Sequence, residues 1–128
     1  EDTVMAQLPA LTWHHFETFE NGWEHFGSIS RPPSFFKDDI GRVYLCGTVT
    51  NGHPDAPSGT RSKICELPEG YRPPYAAHFA VASSTRTEDG DQAVPAVLIV
   101  RPNGEVFAKN ANPGWLTMDG AIIFTDEG

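Results

Sequence analysis

The most regular hydrophobic pattern of this chain lies at residues 94–101, Val-Pro-Ala-Val-Leu-Ile-Val-Arg. The segment is short, rich in β-branched residues and followed by the turn sequence Pro-Asn-Gly at 102–104, which predicts a strand rather than a helix. Alternate side chains of a strand point to opposite faces, and here both faces are apolar. A half-solvated sheet would carry polar residues on one face. We therefore expect a second layer over this strand, and another copy of the same chain is the first candidate.

A second alternating segment occupies residues 42–50, and residues 62–67 return as a strand after the turn-rich loop 51–60. The pattern predicts a hairpin with an exposed tip. In a symmetric register, Gly47 leaves a gap opposite Ile64 that a large side chain can fill.

The same hairpin register places Cys46 opposite Cys65, the two cysteines of the chain. Directly opposed residues of an antiparallel pair lie about 4.5–5.5 Å apart at Cβ. A disulfide between the two cysteines is therefore possible, but it would be strained. Because no secretory signal is present, we favour two half-buried free thiols.

Residues 75–83 form a further predicted strand, with Phe79 and Val81 on one face and small side chains on the other. Small side chains on an outer face allow the backbone of another subunit to approach closely. One histidine of that face, His78, would lie near a symmetry axis, where we expect a hydrogen-bonded histidine rather than a metal ligand. The predicted interface comprises Ala76, His78, Ala80, Val97 and Ile99.

The remaining pattern predicts about eight or nine short strands in all, which is typical of a sandwich or a barrel. The pair Asn21-Gly22 separates two short aromatic strands within 13–27, although an amphipathic helix is the alternative. Residues 28–41, with two consecutive prolines, are expected to form a surface connection. We predict one all-β domain over 13–128, preceded by an arm or linker over 1–12.

Composition agrees with a folded domain whose chain turns often. The 128 residues include 12 glycines and 11 prolines, and 39% of them are hydrophobic. The net charge of −8 argues against nucleic-acid binding, which needs a basic face, and against adhesion to anionic lipid. No apolar run has the length of a membrane span, and no signal peptide is visible. Because the sequence starts at Glu1, we expect a fragment or a processed product.

The sequence contains no clear motif for catalysis, metal binding or cofactor binding. The five histidines show no metal-ligand spacing, and the acidic loop 88–91 lacks the ligand series of an EF-hand. No nucleophile motif and no phosphate-binding loop is present, so we expect no enzyme, no cofactor and no metal site. Aromatic rings also stack on sugars, but Trp13, Trp23 and Trp115 adjoin patterned strands, which favours core packing for each.

Four motifs follow one another along the chain: Asn21-Gly22-Trp23 with Gly27; Gly41-Arg42-Val43 with Leu45 and Gly47; Leu67-Pro68 with Gly70-Tyr71-Arg72-Pro73-Pro74; and Trp115-Leu116-Thr117-Met118-Asp119-Gly120 with Phe124. In this order and spacing they resemble the C-terminal head domains of bacteriophage tail-fibre and baseplate receptor-binding proteins. The resemblance implies an antiparallel, jelly-roll-like β-sandwich that forms a homotrimer at the tail tip or baseplate of a virion. It also implies extracellular attachment to bacterial surface saccharide, with other tail or baseplate proteins as partners.

Ligand residues are expected on loops held by the rigid sandwich, because polar side chains there can hydrogen-bond sugar hydroxyls. The candidates are His53 and Asp55 on one loop, Arg86 and Asp89 on a second, and Asn110 and Asn112 on a third. Three rival classes stay open. The first is a structural or trimerisation cap of a tail fibre or a virion decoration protein, without a ligand. The others are a hydrolase that trims surface glycan and a non-viral trimeric head with a tumour-necrosis-factor-like fold.

Overall fold

The computed structural model describes residues 12–27, 30–50, 61–84, 93–111 and 114–125. These residues form antiparallel strands and no helix, and the sheets make a curled half-barrel, so the predicted all-β class is confirmed. The strands are β1 (His14–His15), β2 (Glu24–His25), β3 (Ser34–Lys37), β4 (Arg42–Cys46), β5 (Thr48–Thr50), β6 (Arg61–Glu66), β7 (Ala77–Ser84), β8 (Ala93–Val100), β9 (Glu105–Lys109), β10 (Trp115–Thr117) and β11 (Ala121–Phe124).

The strands lie in two sheets that share one core. A four-stranded sheet has the order β1-β3-β4-β11, and a seven-stranded sheet has the order β2-β5-β10-β7-β8-β9-β6. The inward side chains of both sheets meet in a single cluster, because each strand alternates between core and outer face. Fully buried members include Val43, Leu45 and Ile123 from the first sheet and Val49, Leu98, Val106 and Leu116 from the second.

The segment 42–50 does not stay in one sheet. Its first half is β4 of the four-stranded sheet and its second half is β5 of the seven-stranded sheet, with Gly47 between them. The segment 115–124 makes the same passage in the opposite direction, since β10 pairs with β5 and β11 pairs with β4. The two segments therefore form one antiparallel ribbon that bends at Gly47 and connects the sheets.

Only glycine fits the bend of this ribbon. Gly47 has a φ of +106°, and a Cβ atom built there would lie 2.4 Å from the Cα of Pro33. Its N–H donates a hydrogen bond to Oδ1 of Asp119 at 2.8 Å, and its carbonyl accepts one from the N–H of Met118 at 2.8 Å. The bend is thus fixed by backbone contact on one side and by hydrogen bonds on the other.

The predicted hairpin between 42–50 and 62–67 is wrong. Strand β6 pairs with β9 at one edge of the seven-stranded sheet, whereas β5 lies second from the opposite edge. Gly47 therefore faces the backbone of Pro33 rather than Ile64, which is buried in the core. Alternation along a strand determines its faces, but it does not determine which strand lies beside it.

Both cysteines are free thiols, as favoured from the sequence. Cys46 lies opposite Ser34 in the four-stranded sheet and is half-buried, whereas Cys65 lies in the other sheet and is fully buried. Burial raises the pKa of both thiols, so neither is a reactive thiolate.

The predicted turn at Asn21-Gly22 is confirmed, and so are the two short strands around it. Both residues have positive φ, 55° and 81°, and the carbonyl of Glu20 accepts a hydrogen bond from the N–H of Trp23 at 3.2 Å. The flanking strands do not pair with each other, because β1 pairs with β3 and β2 pairs with β5. The turn instead carries the chain from one sheet to the other.

This turn also closes the curl of the seven-stranded sheet, whose edge strands are β2 and β6. The backbone N–H of Glu20 donates to the carbonyl of Ile64 at 2.9 Å, and Nδ2 of Asn21 donates to the carbonyl of Lys63 at 2.9 Å. Nε1 of Trp23 donates to Oγ of Ser62 at 2.9 Å. Three hydrogen bonds thus join the segment before β2 to β6, and they bring the two ends of the sheet together.

The prediction of a surface connection over 28–41 is wrong for its central part, since 34–37 is the inner strand β3 between β1 and β4. The two prolines come just before the strand and do not interrupt its hydrogen bonds. Pro33 is buried, and its carbonyl accepts a hydrogen bond from the N–H of Phe16 at 3.0 Å.

Substitution of Gly47 tests the importance of the bend. We expect Gly47→Ala to lower the free energy of unfolding by about 1–3 kcal/mol for backbone strain and by about 1–3 kcal/mol more for the forced movement of Pro33. Gly120→Ala is the matched control, because Gly120 has a φ of +92° but no atom within 4 Å of an added Cβ. Urea denaturation of both variants measures the difference, and equal destabilisation would contradict the close contact.

Candidate functional site

The outer face of β7 and β8 is apolar and has no covering layer within the described part of the protomer. In their antiparallel register, His78 lies opposite Ile99 and Ala80 lies opposite Val97. His78 and Ala80 are exposed and Val97 is half-buried. Ile99 is only 7% exposed, and it lies opposite Phe107 of β9 on its other side. We call the exposed part of this face the outer strip; it consists of His78, Ala80, Ala82, Pro95 and Val97.

A groove continues the outer strip around the start of β7. It has a volume of about 700 Å³ and lies between the proline corner at 73–76 and β11, the edge strand of the four-stranded sheet. Tyr75, Phe124 and Ile122 line it with exposed fractions of 73%, 62% and 37%, and they are three of the four large exposed hydrophobic side chains among the described residues. His78 also lines the groove, so the two apolar surfaces are continuous.

A cleft adjoins the outer strip on its other side. Its walls come from β5, β7 and β10 and from the segment after β2, and its volume is about 280 Å³. A second depression of about 470 Å³ shares Ala82, Thr117 and Asp119 with it and extends to Ala80 and Pro95. The residues that line the cleft are Phe26, Ser30, Thr48, Ala82, Trp115, Thr117 and Asp119.

The polar groups of the cleft are held in place by the bend of the ribbon. Oδ1 of Asp119 accepts the hydrogen bond from Gly47, and the N–H of Asp119 donates to Oγ1 of Thr117 at 3.1 Å. Oγ1 of Thr117 in turn donates to the carbonyl of Gly47 at 3.5 Å. The carboxylate and the hydroxyl are thereby oriented before any ligand arrives.

The cleft residues were missed in the sequence, although a signal for them exists. Trp115, Thr117 and Asp119 follow one another with a period of two, which places their side chains on the same face of β10 and its extension. The residues between them, Leu116 and Met118, fill the core. The alternating set, an aromatic ring, a hydroxyl and a carboxylate, therefore lies on the outer face, and this combination indicates a surface site.

Of the six predicted ligand residues, the structure describes only Asn110. It lies exposed after β9 with a φ of +61° and lines neither the cleft nor the groove. The other five, His53, Asp55, Arg86, Asp89 and Asn112, lie outside the described residues. The strand ends that flank the three loops all lie at one end of the seven-stranded sheet; they are Thr50, Arg61, Ser84, Ala93, Lys109 and Trp115.

The tryptophans do not share one environment. Trp23 is buried in the core as predicted, whereas Trp13 and Trp115 are half-buried on the outer faces of the two sheets, so core packing is wrong for both. Trp13 packs against Phe36 with ring centroids 4.2 Å apart, and the guanidinium of Arg31 lies 3.8 Å from the Trp13 ring. Its ring therefore already has neighbours within the protomer.

A cluster of charged and polar groups surrounds Asp38, in the turn between β3 and β4. Burial of the carboxyl, which is 12% exposed, raises its pKa, but hydrogen bonds lower it to about 2. Oδ1 accepts the N–H groups of Arg42 at 2.8 Å and Ile40 at 3.1 Å, and Oδ2 accepts Nε of Arg42 at 2.7 Å and the hydroxyl of Tyr44 at 3.1 Å. Every contact holds the turn, so the cluster is structural.

Within the described ranges, no group of three or more histidine, cysteine or acidic side chains could hold a metal ion. Those ranges also contain no helix that is long and apolar enough to cross a membrane. Comparison of the chain with protein-family models, curated proteins and solved structures finds no significant match.

The hydrogen bonds to Asp38 predict a specific acid response. Since its pKa falls from 3.8 to about 2 on folding, the stabilisation is complete above about pH 4 and is lost as the pH falls through about 2. We expect Asp38→Asn to be less stable than the wild type at pH 7, and the difference to shrink between pH 4 and pH 2. Urea denaturation at several pH values, followed by tryptophan fluorescence, measures it.

The matched control for this prediction is Asp39→Asn, an exposed neighbour in the same turn. It should change the free energy of unfolding by no more than about 0.5 kcal/mol. A difference between the wild type and Asp38→Asn that stays constant from pH 7 to pH 2 would show that the charge of Asp38 does not stabilise the turn.

Proposed function

We propose that this chain is the homotrimeric head domain of a bacteriophage tail-fibre or baseplate protein, and that it attaches to saccharide on the bacterial surface without catalysis. The observation that carries the proposal is the continuous apolar surface formed by the outer strip and the groove. Monomeric proteins rarely expose an apolar surface of this kind, and such surfaces usually mark interaction sites. The bacteriophage and saccharide parts of the proposal come from the motif resemblance.

The chemistry of the outer strip suits a second copy of this chain. Alanine side chains at 80 and 82 end at Cβ, so a neighbouring backbone or flat side chain can lie directly on the sheet. Tyr75 and Phe124 provide large rings beside it, and full burial of one such side chain contributes roughly 1.5–3 kcal/mol. The described residues that form the outer strip or line the groove include no Asp, Glu, Lys or Arg.

A cyclic trimer fits these surfaces better than a twofold dimer. In a twofold dimer the combined surface meets itself across one axis, whereas in a ring one surface of each subunit meets a different surface of the next. The outer strip is made largely of small side chains, and the groove is concave and bordered by large rings, so the two surfaces differ in shape. A threefold arrangement allows the rings that border the groove of one subunit to pack on the outer strip of the next.

The curled sheets support the finer proposal of a jelly-roll-like sandwich, since both sheets pack on one core and the ribbon crosses between them. A trimer presents each weak saccharide site three times. Such avidity raises apparent affinity by roughly 10²–10⁴ without any new contact, provided that the three sites engage together. In this proposal, other tail or baseplate proteins hold the trimer on the virion.

A charge on the outer strip tests the assembly. We expect the wild type to sediment as three protomers of 14.0 kDa each, and Ala80→Glu to sediment as a folded monomer, because burial of an unpaired carboxylate opposes association. Ile40→Glu is the matched control, since Ile40 is 66% exposed in the turn between β3 and β4 and lies outside both apolar surfaces. A wild type that sediments as a single 14.0 kDa protomer at high concentration would contradict the proposal.

Attachment is tested separately with intact bacteria and isolated wall glycans. We expect the trimer to bind at least one glycan and to leave the polymer length unchanged during incubation. A trimer that binds none of them would be a structural cap, and a polymer that becomes shorter would indicate a hydrolase.

A further inference from the structure

The cleft beside the outer strip combines an aromatic ring with hydrogen-bonding groups that face it. Trp115 and Phe26 contribute rings, Ser30, Thr48 and Thr117 contribute hydroxyls, and Asp119 contributes a carboxylate. A pyranose ring has the complementary chemistry, because its C–H face is flat and apolar while its edge carries hydroxyls. Sites for small molecules are usually mixed in this way, mostly apolar with a few fixed polar groups.

The Trp115 ring is available to a ligand as far as the described residues show. None of them stacks on its indole or accepts a hydrogen bond from its Nε1, in contrast to Trp13 with Arg31 and Phe36, and to Trp23 with Ser62. Strand β10 lies between β5 and β7 inside the sheet, so the ring stands on a rigid support. A rigid support lowers the entropy cost of binding.

The carboxylate of Asp119 is fixed at one oxygen and open at the other. Oδ1 accepts the N–H of Gly47 at 2.8 Å, and no described residue donates to Oδ2. A carboxylate oxygen that is already oriented is a strong acceptor for a sugar hydroxyl, since charge-assisted hydrogen bonds exceed neutral ones. The bend of the ribbon therefore also positions the acceptor of the cleft.

Charge and size restrict the ligand. Among the described residues that line the cleft, Asp119 is the only charged one, and the whole chain carries a net charge of −8, so acidic sugars are repelled. The volume of about 280 Å³ lies just below the range for small-molecule sites, roughly 300–1,000 Å³, which suits a single sugar unit. The second depression of about 470 Å³ offers space for the next unit of a chain.

We infer that this cleft binds a neutral sugar or an amino sugar of a surface polysaccharide, with Trp115 as the stacking platform and Asp119 as the principal acceptor. The inference rests on the proposed attachment function, which does not itself say where the saccharide binds. The cleft meets the outer strip at Ala82, so each site of the proposed trimer lies beside the subunit boundary.

The test uses the full chain on an array of bacterial wall and O-antigen polysaccharides that includes neutral, amino-sugar and uronic-acid members. We expect the wild type to bind neutral or amino-sugar members, and Trp115→Ala to weaken that binding about tenfold or more through loss of the stacking ring. Trp115→Phe keeps a ring and should retain most of the binding. Trp13→Ala, the same change on the outer face of the other sheet, is the matched control and should bind as the wild type does.

Asp119→Asn provides a second variant that leaves the fold intact, because the amide oxygen still accepts the hydrogen bond from Gly47. We expect it to weaken binding of amino sugars more than binding of neutral sugars, since only the former lose a charge partner. Sedimentation of every variant checks that its oligomeric state matches that of the wild type. Weaker binding caused by loss of the trimer is thereby distinguished from weaker binding caused by damage to the cleft.

The outcomes separate this inference from the proposed function. A wild type that binds glycan, together with Trp115→Ala and Asp119→Asn that bind equally well, would overturn the cleft and leave the attachment function standing. Binding restricted to uronic-acid polymers would also overturn the cleft. A wild type that binds no member of the array, and no bacterial surface, would overturn both.

Discussion

The two sheets of this protein depend on the passage of one ribbon between them at Gly47. A residue with a side chain is strongly disfavoured at that position, because its Cβ would force the backbone of Pro33 to move. The hydrogen bond from Gly47 to Asp119 and the bond from Met118 back to Gly47 hold both strands of the ribbon at the same bend. Without this bend, β4 with β11 and β5 with β10 would continue as one flat pair, and the core would lose its second layer.

A second constraint is the closure of the seven-stranded sheet, whose edges are joined by the turn around Asn21. Lys63 adds ion pairs to Glu20 at 2.9 Å and to Glu105 at 3.3 Å, and the pair with Glu20 contributes little because the Glu20 side chain is half exposed. The hydrogen bonds from the turn to the backbone of β6 are more effective, since they satisfy groups of an edge strand that would otherwise face water. The curl follows from this contact.

The sequence predicted which face of a strand each side chain occupies better than it predicted which strands lie side by side. The alternation in 42–50 correctly assigned inward and outward side chains, yet it could not show that the strand changes sheet, because the reason lies in a clash with Pro33, a residue distant along the chain. The turns at Asn21-Gly22 and Asn103-Gly104 were predictable, since Asn21, Gly22 and Gly104 adopt the positive φ that Asn and Gly tolerate. Strand partners were not, because every partner of β6 and β10 is set by tertiary packing. The cleft depends on those strand pairings, so it could not be predicted from the sequence either.

The outer faces of the two sheets differ in how far side chains of the same protomer cover them, and this difference bears on the proposed self-association. On the four-stranded sheet Phe36 stacks on Tyr44 with centroids 4.7 Å apart and planes 9° apart, and Trp13 packs at the other side of Phe36. These rings cover the backbone of their own sheet. On the outer face of the seven-stranded sheet lie Ala80 and Ala82. Their side chains end at Cβ, so they cover little of the sheet backbone. A sheet that lacks its own cover gains most when another subunit supplies it, so we place the contact of the proposed trimer on the outer strip rather than on the aromatic row.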